Sequence, residues 1–207
     1  MYQPAHHRED RLSIQHEAID THSFGLLISL GGDGLLANGV PFLLHRSEGE
    51  RGTLHAHIAR ANTQWHNLEG QKVLVVFQGP QSYISPSFYE TKRETGKVVP
   101  TWNYVMVQAR GIAKIHQDAA WLDKQVNSLT AKYEKHRTNS WAVSDAPRTY
   151  IESQLRGIIG IEIKIDSIEG KWKVSQNRNE ADRQGVAEGL VQENAAMAEL
   201  VKNYRNE

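Results

Sequence analysis

The sequence predicts an α+β chain: a mostly antiparallel split β-barrel or Greek-key barrel with peripheral helices. Three observations carry that expectation. Ile159, Ile161, Ile163 and Ile165 alternate with Gly160, Glu162, Lys164 and Asp166, the period of two that turns one face of an antiparallel strand to the core and the other to water. Phe24 to Leu30 is an apolar run of strand length that ends in Gly31-Gly32-Asp33-Gly34, and its Asp-Gly pair supplies the positive φ of a tight hairpin turn. Leu122, Val126, Leu129 and Tyr133 recur at helical spacing behind Asp118, a residue type suited to capping the helix they predict.

The remaining elements follow in chain order. Asp10 to Asp20 predicts a short helix, and Leu35 to Leu44 the strand returning from the first hairpin, bent at Gly39-Val40-Pro41. Ser47 to Gly52 reads as a turn before a strand over Thr53 to Ala59, and Asn62 as the cap of a short helix reaching Leu68. Lys72 to Phe77 is the run of highest β propensity, and Gly79-Pro80 is expected to end it. Ser82 to Pro100 mixes turn formers, aromatics and charge, so a long loop is expected there. Val105 to His116 predicts a strand; Pro147 opens a helix through Leu155; Val186, Leu190, Met197, Leu200, Val201 and Tyr204 fit one last helix. At 207 residues the chain can bury roughly 70% of its unfolded surface. With no linker or internal repeat, one domain over 1–185 is expected, with 186–207 a terminal helix of that same domain.

Composition excludes several chemistries. There are 24 Lys and Arg against 24 Asp and Glu, so no global basic field announces a nucleic-acid partner. Any DNA contact has to come from a local patch. Absence of Cys rules out a disulfide framework, thiolate zinc, iron–sulfur clusters and a thiol nucleophile. The absence of an apolar leader or span predicts a soluble, cytoplasmic protein without membrane contact. No G-x-S-x-G elbow or P-loop occurs, and His16-Glu17 is followed by Asp20 where H-E-x-x-H needs His. Gly32-Asp33-Gly34-Leu35-Leu36-Ala37 matches G-x-G-x-x-A formally, yet Gly39 and Pro41 stand where a dinucleotide-binding helix would run. His55 and His57 share one strand face, but no third ligand lies at a local spacing, so no metal site is expected.

Two basic segments remain. Arg60 closes a strand ahead of Ala61-Asn62, a junction suited either to a phosphate dianion or to an acidic neighbour. Lys171-Trp172-Lys173-Val174-Ser175-Gln176-Asn177-Arg178 could hold a phosphate and the polar edge of a flat ring, or be a solvated charged loop. Between them, Tyr83-Ile84-Ser85-Pro86-Ser87-Phe88-Tyr89 and Val99-Pro100-Thr101-Trp102-Asn103-Tyr104 set aromatic faces beside amides and hydroxyls, as a heteroaromatic ligand or a packed core requires. No pair of carboxylates stands out as an acid/base dyad, and no catalytic residue is assigned.

Taken together, these blocks resemble the PaiB-type, FMN-binding negative transcriptional regulators. The matching stretches are Met1-Tyr2 with Pro4 and His6, Pro41 to Leu44, His57 to Asn62, Gly79-Pro80 with Tyr83 to Ser87, Val99 to Tyr104, and Glu169 to Lys171 leading to Ser175 to Arg178. His7, Thr63, Gln81-Ser82, Phe88 and Gln108 depart from the pattern; Phe88 stands where it has Trp. The resemblance implies an FMN-binding split barrel, a homodimer with FMN at the subunit interface, and a repressor role. It implies Arg60 and Lys171 as cationic contacts, Trp102 and Asn103 along the ring, Tyr83 and Ser85 on the loop side, and Gln176, Asn177 and Arg178 on the polar rim, with Asn62 beside Arg60. DNA contact rests on the resemblance alone, since no helix-turn-helix is visible. The alternative readings are an FMN-dependent oxidoreductase of the pyridoxamine-phosphate-oxidase-like kind and a haem-binding split barrel.

Overall fold

In the computed structural model, which describes residues 1–205, alternation of apolar residues sets the strands. These are β1 (Arg8–Glu9), β2 (Phe24–Gly31), β3 (Gly34–Pro41), β4 (Leu43–His45), β5 (Thr53–Ala59), β6 (Lys72–Ile84), β7 (Thr101–His116) and β8 (Ile158–Lys173). The helices are α1 (Leu12–Thr21), α2 (Glu90–Glu94), α3 (Ala119–Glu134), α4 (Arg148–Arg156), α5 (Glu180–Leu190) and α6 (Ala195–Asn203). The sheet runs β3-β2-β6-β7-β8-β5-β4, with β1 added on β8. Its path is open at β3 and β4 and does not close. The expected α+β split-barrel class is therefore the one observed.

Contacts divide the chain into two compact units. One holds residues 1–15, 78–107 and 169 onward; the other holds 16–77 and 108–168. Strands β6, β7 and β8 contribute residues to both.

The second unit is organised by β8 and β5, which pair antiparallel from Thr53↔Lys164 to Ala59↔Ile158. Ile159, Ile161, Ile163 and Ile165 are all buried, as are Leu54, Ala56 and Ile58 facing them and Val73, Val75 and Phe77 of β6. The β2–β3 hairpin keeps register from Phe24↔Pro41 to Gly31↔Gly34, and Gly34 takes the positive φ (113°) that the turn needs. Asp118 caps α3 by accepting from the Trp121 N–H at 2.9 Å. Leu122 of α3 packs with Val143 and with Ile151 and Leu155 of α4 in a separate small core.

In the first unit, α5 and α6 form the apolar body, burying Val186, Leu190, Met197, Ala198 and Val201. Buried Asp182 ties α5 to the start of α2: its carboxylate accepts from the Thr91 N–H and hydroxyl, both at 2.9 Å. Phe88 explains two glycines of α5. A Cβ at Gly185 would lie 2.1 Å from the Phe88 carbonyl oxygen, and one at Gly189 would lie 2.4 Å from its ring.

Several boundaries differ from expectation. The strand expected over Leu35 to Leu44 is two, because Phe42 turns into the core between β3 and β4 and its N–H bonds the Ser23 carbonyl at 2.8 Å. Gly79-Pro80 does not end β6, which runs on to Ile84. The loop over Ser82 to Pro100 begins inside that strand and holds a 3-10 turn (Pro86–Phe88) and α2. The single terminal helix is two: Asn194 breaks it and caps α6, its side chain accepting from the Met197 N–H at 3.1 Å.

The close approach at α5 yields a stability test. Gly185→Ala should lower unfolding free energy by about 1–3 kcal/mol, because overpacking against backbone outweighs the gain in helix propensity. Denaturant unfolding measures it; an unchanged midpoint would refute the packing account.

Candidate functional site

Within the first unit, β7 and the end of β8 build a cleft of about 540 Å³, lined by Met1, Tyr2, Gln78, Gly79, Gln81, Trp102, Tyr104, Val105, Met106 and Lys171. That volume is within the roughly 300–1,000 Å³ of small-molecule sites. Trp102 and Tyr104 are two residues apart on β7 and both line it, as the strand period dictates. Trp102 is half exposed, and the Tyr83 ring meets it edge-on at 6.1 Å.

Lys171 gives the cleft its charge. The residue is 7% exposed, and β1 holds it in place through the pair Arg8↔Lys171. Its ammonium donates to the Tyr2 carbonyl at 3.0 Å and lies 5.3 and 5.2 Å from the centres of the Tyr2 and Tyr104 rings. Among the described residues no carboxylate pairs with it. Lys173 donates to the Thr101 hydroxyl and to the Trp102 carbonyl. Burial, then the like charges of Lys171 and Arg178, hold the Lys173 ammonium below its usual pKa range. Arg178 lies over the Tyr89 ring, 4.7 Å from its centre.

Beyond β8 the chain turns on Ser175, whose φ of 64° is the one positive value among described non-glycine residues. The Ser175 hydroxyl accepts from buried Asn103 Nδ2 at 2.8 Å. Gln176 folds back on the strand: its amide oxygen accepts from the Val174 N–H at 2.8 Å and its amide nitrogen donates to the Trp172 carbonyl. Asn177 is exposed beside it. Ser85 caps the 3-10 turn through the Ser87 N–H at 3.2 Å.

Eight of the ten expected site residues thus fall in the first unit: Tyr83, Ser85, Trp102, Asn103, Lys171, Gln176, Asn177 and Arg178. Arg60 and Asn62 belong to the second. There the Arg60 guanidinium donates to the Arg156 carbonyl (2.8 Å), the Ile158 carbonyl (3.3 Å) and the Gln117 side chain (2.8 Å). It satisfies carbonyls at and just beyond the C-terminal end of α4, where a cation also meets the negative end of the helix dipole. It lines a different cleft, with Gln117, Arg148 and Arg156. Asn62 caps the turn Thr63–Asn67 by accepting from the Gln64 N–H at 3.0 Å.

Tyr2, Tyr104 and Lys173 were not among the expected site residues. The alternation of Trp102 with Tyr104 and of Lys171 with Lys173 was the signal for two of them; Tyr2 had none beyond its place in a matching block.

The open-sheet split-barrel fold and the family match together place the chain among the flavin-binding split-barrel proteins. More narrowly, the chain belongs to the family described as "Putative FMN-binding domain", which matches residues 1–167. It is 34% identical to the Protease synthase and sporulation protein PAI 2 of Bacillus subtilis, over 98% of this chain and 97% of that one. It is 37% identical to an uncharacterised protein of Emericella nidulans, over 92% of this chain and 90% of the other. In fold it is similar to the FAD and heme binding protein from Mycobacterium smegmatis, with a TM-score of 0.57 and 14% identity over 79% of this chain and 71% of that one. Family and fold together support a flavin cofactor. No helix among the described residues is long and apolar enough to cross a membrane.

His7 gives the cationic end of this unit a pH dependence. Burial first, then the neighbouring His6, push its imidazole down to about 4; Lys173 and Lys171 add to this and the bond to Gln176 opposes it. With the folded pKa below the unfolded value of about 6.5, only the unfolded chain takes up this proton between the two. Stability should therefore fall as pH drops from about 6.5 toward 4, by on the order of 1–2 kcal/mol after allowance for solvent screening. Denaturant midpoints at pH 7.5 and 4.5 for the wild type and His7→Phe measure it; equal losses in both would remove His7 as the cause.

Proposed function

We propose that the chain is a PaiB-like regulatory flavoprotein that binds the FMN phosphate against Lys171, with Lys173 and Arg178 adding positive potential and Trp102 and Tyr104 facing the ring. One observation carries this reading: the Lys171 ammonium is buried in a cleft without a carboxylate partner among the described residues. A buried cation is costly unless paired, and a phosphate near charge −2 is the counter-ion that FMN supplies. The residues present fit that group.

When bound, FMN supplies the redox chemistry, and the protein supplies orientation and electrostatics. Lys171 would hold the phosphate, the Asn103–Ser175 pair would fix the turn beyond β8, and the half-exposed Trp102 and Tyr83 would cover one ring face. Exposure of Tyr2 (83%), Val99 (66%) and Trp102 (54%) along this unit supports a second copy of the chain completing the site, as the family resemblance implies. The regulatory role rests on the family resemblance, which the match to the Protease synthase and sporulation protein PAI 2 over nearly the whole chain supports. In that role the flavin state biases a form that contacts a partner or DNA.

Lys171→Met should weaken FMN binding about 10- to 100-fold, since a charge-assisted phosphate contact contributes roughly 1.5–3 kcal/mol. Quenching of flavin fluorescence on titration measures it, with circular dichroism showing that the variant folds. Wild-type affinity in the folded variant would overturn the site. A haem Soret band in the protein as purified would favour the haem-binding reading instead.

A further inference from the structure

We propose that His45, Glu48 and His55 form a binding site for one divalent transition-metal ion, with Zn²⁺ the ion that the donor set fits best. The site lies wholly in the second unit and is independent of the flavin reading.

Sheet register assembles it. Strands β4 and β5 pair at Leu43↔His55, so His45 stands two residues along β4 on the same face as His55. Glu48 comes from the loop between these strands, where Gly49 and Gly52 take positive φ values of 84° and 86°. The loop is pinned at Glu48, whose carbonyl accepts from the Thr53 hydroxyl at 2.7 Å and whose N–H bonds the His45 carbonyl at 3.2 Å.

The donor atoms already have the spacing of a coordination shell. Nδ1 of His45 lies 3.3 Å from Oε1 of Glu48, and Nε2 of His55 lies 3.4 Å from Oε2. Ligands of a tetrahedral zinc at bond lengths of about 2.0–2.1 Å stand about 3.3 Å apart. One ligand atom from each of the three residues falls within 4.8 Å of the others, and the two imidazole centroids are 4.0 Å apart.

An ordinary histidine–carboxylate ion pair would account for this cluster if the nitrogens made hydrogen bonds. They do not. Nε2 of His55 is buried, faces the carboxylates of Glu48 and, at 4.0 Å, Glu162, and hydrogen-bonds to neither. An orphaned buried donor or acceptor is costly, and a bound cation removes the deficit by taking the lone pair.

The surroundings suit the same ion. Glu162, the direct cross-strand partner of His55, is held by Nε2 of His116 at 2.9 Å, and the His116 ring stacks on Trp121 at 4.2 Å. At 4.0 Å from His55, Glu162 is placed to accept a hydrogen bond from a water in the fourth coordination position, the outer-shell role carboxylates take in such sites. Two imidazoles and one carboxylate form a His₂Glu set, which zinc binds with one position left open. Of the pair His55 and His57 that share a strand face in the sequence, only His55 joins the cluster.

The test is titration of chelator-stripped protein with Co²⁺, read by its visible d–d absorption, then with Zn²⁺ in competition. One equivalent is expected, with binding weakened at least 10-fold in Glu48→Gln and in His55→Gln and unchanged in His136→Gln, which alters an exposed histidine outside the cluster. Because Glu48 is half exposed, its isosteric variant keeps the fold, and circular dichroism verifies this. No saturable binding at millimolar metal, or binding lost in His136→Gln but kept in Glu48→Gln, would overturn the proposal.

Discussion

Register along β8 is the constraint on which both units depend. Its first half turns four isoleucines into the core and pairs residue for residue with β5; its last residues pair with β1 and carry Lys171 and Lys173. In a strand a shift of one residue exchanges the faces of every side chain. Such a slip would expose the isoleucines, bury Glu162 and Lys164, and move Lys171 out of its cleft. Within the second unit the β8–β5 register therefore fixes the core, and within the first the β8–β1 register places the cation.

Lys171 is buried without an acid among the described residues, and its partners explain how. Isolated burial of an ammonium costs several kcal/mol, and here a peptide carbonyl and two tyrosine faces offset part of that cost, each ring contributing about 0.5–2 kcal/mol. The remainder is a standing preference for anions. Arg60 shows the contrasting case, since its donors already meet two backbone carbonyls and a glutamine. A guanidinium engaged in this way stabilises the end of α4, and its attraction for a phosphate is correspondingly smaller.

What the sequence made legible follows periodicity. The isoleucine alternation and the Asp118-capped helix were readable because each is local and repeats. Gly79-Pro80 misled because a residue without an N–H ordinarily ends a ladder, whereas here β6 continues past it. The split of the terminal helix at Asn194 lacked a Pro or Gly to announce it. At the site, Lys171, Trp102 and Asn103 could be named from matching blocks. Tyr2 lies in a matching block, but its contact with the ammonium could not be read there, nor could His45 and Glu48 beside His55, because those contacts arise from strand pairing and a loop, not from spacing along the chain.

Ser175 sets backbone strain against a side-chain hydrogen bond at this end of the protein. A serine held at φ 64° costs roughly 1–3 kcal/mol relative to relaxed backbone, and glycine would release that strain. Yet glycine would leave the buried amide of Asn103 without its hydroxyl partner, a loss of similar size. The two nearly cancel, so thermodynamic stability alone gives little reason to prefer serine. What the hydroxyl uniquely provides is a fixed orientation for the Asn103 amide, so the turn beyond β8 exchanges backbone ease for a side chain held in one direction.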